Sequence, residues 1–203
     1  NGDVSSEGSI TANLPIVDDV LAFRVVASYK DVGGWIDQLD ADRDDVNDSQ
    51  TSYVRAKGQW NVSDKLTANA MLIRSRNDAG GTNISNFMDS KGDVFFRQVV
   101  RNGLPLRSSE KSFKTDIQNI TLNYDLGFAN LISASSFIDI EKLQGAYSQF
   151  ALFGGATTET ELLGRNFSYD VEVFTQEFRL SSYESETALD WTVGVFYSDS
   201  EQR

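Results

Sequence analysis

Apolar and polar residues alternate along most of this chain in short runs, and the runs are joined first by a very short connection and then by a very long one. The clearest run puts Leu21, Phe23, Val25, Ala27 and Tyr29 on one face and Arg24, Ser28 and Lys30 on the other, with Val26 as an apolar exception. A period of two marks a strand with one dry and one wet face. Near the C-terminus Trp191, Val193, Val195 and Tyr197 oppose Asp190, Thr192 and Ser198 in the same way. Val54, Ala56, Gly58 and Trp60 oppose Arg55, Lys57 and Gln59, and Leu66, Ala68, Ala70 and Leu72 oppose Thr67 and Asn69. Less regular runs place Ile120, Leu122 and Tyr124, then Ile132, Ala134, Ile138 and Ile140, then Phe174, Phe178 and Leu180 on the apolar side. With a first strand near residues 4–14, the pattern predicts eight strands.

Short turns are expected at residues 15–20, 61–65, 125–129 and 182–188, and long polar connections at 31–50, 77–111 and 145–166. Successive connections of an up-and-down antiparallel sheet fall at opposite ends, so the short turns gather at one end and the long loops at the other. Transmembrane barrels of bacterial outer membranes have that asymmetry. From Leu21 to Tyr29 the rise is about 26 Å, which a tilt near 40° reduces to about 20 Å of depth, close to a hydrocarbon band. Aromatics bracket the aliphatic faces, and Trp60 and Tyr124 stand just before short turns, as rings at a membrane interface do. A half-buried strand of a soluble sandwich alternates identically. Loop asymmetry, paired aromatics and the small residues Ala56, Gly58, Ala68 and Ala70 on the dry side favour the membrane.

Composition narrows the chemistry. The 203 residues, 40% hydrophobic, are ample for one folded domain over residues 1–203. No run approaches the length of a spanning helix, which leaves a strand-built barrel open. There is no cysteine and no histidine, so thiolate ligands, disulfides, the usual general base and the usual transition-metal ligand are all missing. A net charge of −12 opposes binding to nucleic acid. The paired carboxylates Glu159 and Glu161 read as exposed loop charges, with nothing converging on them, and no enzyme activity or cofactor is expected.

Chain direction carries a further expectation. The first strand enters a short turn and the eighth leaves one, which places both termini at the long-loop end. A complete bacterial barrel keeps its termini at the short-turn side, so the chain is expected to be an internal slice of a larger barrel, lacking further strands.

Residues 174–182, Phe-Thr-Gln-Glu-Phe-Arg-Leu-Ser-Ser, and 189–197, Leu-Asp-Trp-Thr-Val-Gly-Val-Phe-Tyr, resemble the barrel of TonB-dependent outer-membrane receptors, particularly the alphaproteobacterial type. Residues 8–16, followed by Asp18, Asp19 and residues 21–24, are similar to the hairpin after that barrel's opening strand, and residues 31–37 continue the likeness. The resemblance implies a barrel of about twenty-two strands closed by an N-terminal plug. It also implies uptake of a scarce ligand such as a siderophore, cobalamin or saccharide, energised through a TonB complex. A non-energised porin-like barrel and a soluble secreted β-sandwich binding module are the alternatives.

On the barrel reading the apolar sides meet outer-membrane lipid. Arg24, Lys30, Arg55, Lys57, Glu177 and Arg179 then face the lumen, where charged groups are expected to satisfy one another. Asp40, Asp42 and Asp44 have the one-three-five spacing of a calcium loop, but Asp45 stands where glycine is needed and Thr51 where a bidentate Glu is required. In the longest loop Arg97, Arg101 and Arg107, beside Phe95 and Phe96, offer guanidinium and stacking surfaces to an anionic ligand.

Overall fold

The computed structural model describes residues 2–35, 44–80, 87–88, 94–95, 111–146, 165–183 and 189–203. Eight long strands make one sheet: β1 (Ser6–Val17), β2 (Leu21–Val32), β3 (Ser49–Ser63), β4 (Leu66–Ala79), β7 (Lys111–Asp125), β8 (Ala129–Ala146), β9 (Arg165–Ser182) and β10 (Thr192–Gln202). A separate two-residue ribbon, β5 (Phe87–Met88) with β6 (Val94–Phe95), lies in the connection between β4 and β7. Every neighbour in the order β1-β2-β3-β4-β7-β8-β9-β10 is antiparallel and adjacent in sequence apart from that ribbon, so the topology is a plain meander.

Local chemistry sets the tight turns. Asp19 adopts a positive φ of 59° between β1 and β2, and Gly127 a φ of 86° between β7 and β8. These are left-handed conformations that aspartate tolerates and glycine adopts freely. The Asp125 carboxylate accepts a hydrogen bond from the Gly127 amide at 2.6 Å and another from the Tyr183 hydroxyl, tying two neighbouring turns together. That bond holds the Tyr183 phenol above its ordinary pKa.

Among the described residues only Val46 and Ala129 are buried hydrophobics. Phe23, Val193 and Val195 remain 43%, 63% and 68% exposed, with no second layer over them among the described residues. A sandwich must hide such residues, so the β-sandwich alternative is overturned. The exposure alternates with the pleat. On β7 Gln118, Ile120, Leu122 and Tyr124 are exposed while Ile117, Asn119, Thr121 and Asn123 are half-buried. Side chains splay on a convex face and crowd on a concave one, so the sheet curls with the second set inside.

Register sorts every strand onto these faces. The outward set includes Phe23, Gly58, Ala70 and Ile120 in one ladder row, and Val25, Ala56 and Leu72 in the next. The Phe23 ring covers Gly58, whose absent side chain makes room for it. One expectation fails here. Ile132, Ala134, Ile138 and Ile140 lie on the inward face, and the outward residues of β8 are Leu131, Ser133, Ser135 and Phe137. The consecutive aliphatics at 131–132 fit either phase, and pairing with β7 and β9 decides between them. Ser133, Ser135 and Gln176 then bring polar atoms to the outward face, where they hydrogen-bond one another.

The outer limit of the outward apolar band slants across the ladder. It lies at Tyr29 on β2, at Leu72 on β4 and at Tyr197 on β10, and Tyr197 shares the ladder row of Phe23, six residues below Tyr29. Six residues over six strand spacings correspond to a tilt of roughly 35°, as barrel closure requires.

Beyond β2 the backbone closes tightly. The Trp35 amide donates to Asn47 Oδ1 at 2.7 Å, and the Gly80 amide to the Asp48 carbonyl at 2.9 Å. A Cβ on Gly34 would lie 1.9 Å from the Asp45 carbonyl oxygen, whereas one on Gly8 would meet open space. Gly34→Ala is therefore expected to destabilise the refolded chain by roughly 1–3 kcal/mol and Gly8→Ala to be neutral or mildly stabilising, read from thermal unfolding in detergent micelles.

Candidate functional site

The inward face carries the charged residues that alternation assigns to the wet side. Arg24, Lys30, Arg55, Lys57, Glu177 and Arg179 all lie on it by register. Three of the six are in ion pairs: Lys30 Nζ lies 3.8 Å from Glu7 Oε2 across the ladder, and Arg179 lies 3.6 Å from Glu177 along its own strand. The other three depart from the expected mutual satisfaction. Arg24 stands directly opposite Lys57, Arg55 follows in the next row, and no carboxylate pairs with any of them among the described residues. Like charges opposed on adjacent strands repel. Asn13, Gln59, Asn69, Asn119 and Thr121 line an open hollow with Arg24 and Lys57. Asn119 donates to Ser136 Oγ at 2.8 Å and accepts from Thr121 Oγ1 at 3.2 Å, which fixes that side of the wall.

Higher on the same face, toward the long connections, the wall changes character. Val26, Arg55, Ile73, Ile117, Ile138 and Val173 occupy one ladder row, so five strands bring aliphatic side chains to the concave side. Ile140 and Val171 pair in the row above. The outward face at that height is charged: Arg74, Asp116, Asp139, Glu172 and Glu201 share a row, with Arg76, Lys114, Glu141, Asp170 and Arg203 in the next. Arg74 Nε meets Asp116 Oδ1 at 2.7 Å, and Lys114 Nζ meets Glu141 Oε2 at 2.7 Å. These pairs are exposed, and each contributes little to stability.

This inversion has a simple length argument behind it. A spanning strand needs about 9–11 residues, whereas β3 and β7 have 15 and β8 and β9 have 18. The surplus projects past the apolar band, and there the outward side chains are those of a water-facing surface.

Other sequence candidates fall outside this arrangement. Arg97, Arg101, Arg107 and Phe96 lie outside the described residues, and Phe95 is placed only by its backbone pairing with Phe87. Asp40 and Asp42 are likewise outside. Asp44 adjoins Asp45, whose positive φ of 53° shapes the turn that carries Asn47 to the Trp35 amide. The inward aliphatic row was missed from sequence, although Val26 stood out as an exception. Its trace is the phase of the doublets Ile73-Arg74, Asp116-Ile117, Ile138-Asp139 and Glu172-Val173, each with its charge outward.

The meander, its one-sided loops and its tilted apolar girdle are those of a partial wall of a transmembrane-type β-barrel. The fold is similar to that of the ferric yersiniabactin uptake receptor FyuA from Yersinia pestis, with a TM-score of 0.71 and 15% sequence identity over 99% of this chain. The chain spans 30% of that receptor's chain, and at this identity the likeness is one of fold. No family model matches the sequence, and no curated protein matches it.

Because Arg24 and Lys57 face each other without a carboxylate, Lys57→Glu is expected to stabilise the chain by about 0.2–1 kcal/mol. Urea unfolding of the refolded protein in micelles, wild type against variant, measures it. An unchanged or lower midpoint would mean that water already screens the pair.

Proposed function

We propose that this chain is wall of an outer-membrane receptor barrel of the TonB-dependent kind, with its convex apolar band in lipid and its long connections at the cell exterior. The observation that carries the reading is that band. Single-layer strands expose Phe23, Leu72, Ile120, Val193 and Val195 on one tilted girdle, and charged residues begin where the girdle ends. Water would not tolerate such a surface on a lone sheet, whereas lipid requires it.

The fold likeness to a receptor whose name states ferric yersiniabactin uptake supports the receptor class. The sequence motifs near residues 174–197 support the TonB-dependent family and its alphaproteobacterial type. On this reading a plug domain fills the bore, a TonB complex energises transport, and the ligand is a scarce chelate, cobalamin or saccharide captured near the long connections. A non-energised porin-like pore is the weaker reading, because an open aqueous bore gives no reason for the inward row of Ile73, Ile117 and Ile138.

Lysine substitution separates lipid-facing from bore-facing positions. Val195→Lys, in the girdle, is expected to cost about 2–4 kcal/mol, and Ser198→Lys, on the inward face of the same strand, close to nothing. The measurement is urea unfolding of protein refolded into lipid vesicles. Equal costs at the two positions would remove the membrane assignment.

A further inference from the structure

The outward face is not the same on the two halves of the sheet. In the ladder row that holds Phe23, Gly58, Ala70 and Ile120, β8 supplies Ser135 and β9 supplies Gln176, and in the row below Leu122 is followed by Ser133. The middle of the girdle is therefore polar on these two strands. Gln176 donates to Ser133 Oγ at 3.2 Å and accepts from Ser135, and Ser133, which only accepts, keeps an O–H to give. Acyl chains offer no acceptor for it. Four residues above Gln176, roughly 13 Å along the strand, the same flank turns acidic. Asp139, Glu172 and Glu201 share one row and Glu141, Asp170 and Arg203 the next, and together they line one hollow. Among the described residues Lys114 answers Glu141 and Arg203 answers Glu201 at 3.0 Å, which leaves Asp139, Asp170 and Glu172 without a cation.

We infer that the outward flank of β8, β9 and β10 is a lateral docking surface for a second, different integral outer-membrane protein. That partner presents hydrogen-bonding side chains at mid-membrane and lysine or arginine at the height of the acidic rows. The inference rests on the barrel reading above and concerns the membrane side of the wall, not its bore. Two observations at different heights select this occupant. Water screens the carboxylates but does not reach Ser133, Ser135 and Gln176 in the girdle. Lipid reaches those three but has nothing to bond, and an anionic headgroup is repelled by the rows above. A protein flank with cations above hydrogen-bonding groups matches both heights. A second copy of this chain does not, since its matching flank is acidic too, and its basic side chains at that height, Arg74, Arg76 and Lys114, are already paired with Asp116, Asp78 and Glu141. Phe178 beside the cluster, with Phe174 and Tyr197, whose ring centroids are 6.4 Å apart, supplies the exposed aromatic anchors that protein contacts use.

The photoreactive residue p-benzoylphenylalanine, placed at Ser133 or, as the lipid-facing comparison, at Ala70, would be irradiated in the full-length protein in the outer membrane of the producing cell. Expected at 133 is a discrete adduct heavier by the mass of a different protein, and at 70 lipid-sized adducts alone. Neutralising the rows with Asp139→Asn, Asp170→Asn and Glu172→Gln is expected to lower the protein adduct at 133 at least about fivefold while the lipid adducts at 70 stay unchanged. The charge-preserving pair Asp139→Glu and Glu172→Asp is expected to keep the protein adduct. Lipid-sized adducts alone at 133 would overturn the proposal. So would a protein adduct indifferent to the neutralised rows, or one of twice the receptor's own mass, which would mean that a second copy sits there. Absence of lipid adducts at 70 would instead remove the barrel reading, so the two failures are distinct.

Discussion

Every polar group of a backbone placed in hydrocarbon must find its partner inside the protein, and in this chain the cross-strand ladder supplies those partners. From β1 to β10 the register runs continuously, with irregular steps only at Pro15/Val17 and Asn61/Ser63, both next to short turns. A single sheet can therefore do without a second layer in the girdle, because its amides are paired sideways and its apolar side chains are left for lipid. The polar side chains that do appear on the outward face obey the same condition, since Ser133, Ser135 and Gln176 bond to one another.

The general architecture was legible from alternation because lipid on one side and water on the other impose a strict period of two. The eight strands, their order, the short turns at 15–20, 61–65 and 125–129 and the apolar sides of β2, β3, β4 and β10 follow from that period, while residues 184–188 of the fourth expected turn lie outside the described residues. What failed did so for a physical reason. On β8 the aliphatics at 131–132 and the serines at 133, 135 and 136 blur the alternation, so neither phase stands out until β7 and β9 fix the register. The charges of the wall were harder to read, because cross-strand contact depends on register to the residue. Lys30 finds Glu7 only because β1 and β2 pair as they do, and the register of β2 with β3 sets Arg24 against Lys57.

Strand length joins these two observations. If the strands were only as long as the membrane is thick, one alternation would serve from end to end. Strands of 15 and 18 residues leave one environment and enter another, and the phase of their polarity must change on the way. A chain scanned for one amphipathic phase records the far half of β7 and β8 as noise. Scanned for a change of phase, the same residues mark the height at which lipid ends.

That height also orders the electrostatics. Below it, charge is confined to the concave side, where unmatched cations on β2 and β3 keep their field directed into the bore. Above it, the outward rows are mainly acidic toward β10, with Asp139, Glu172 and Glu201 side by side and only scattered cations such as Arg203 nearby. Adjacent carboxylates repel, so such a row is tolerable where water screens it and costly where hydrocarbon does not. The acidic rows thus locate the aqueous boundary independently of the aliphatic band, and the two agree: on β9 Glu172 follows directly above Phe174 on the outward face, and on β10 Asp199 directly above Tyr197. On these two strands a single residue pair marks the change, which is why a register error of one residue would place carboxylates within the apolar band.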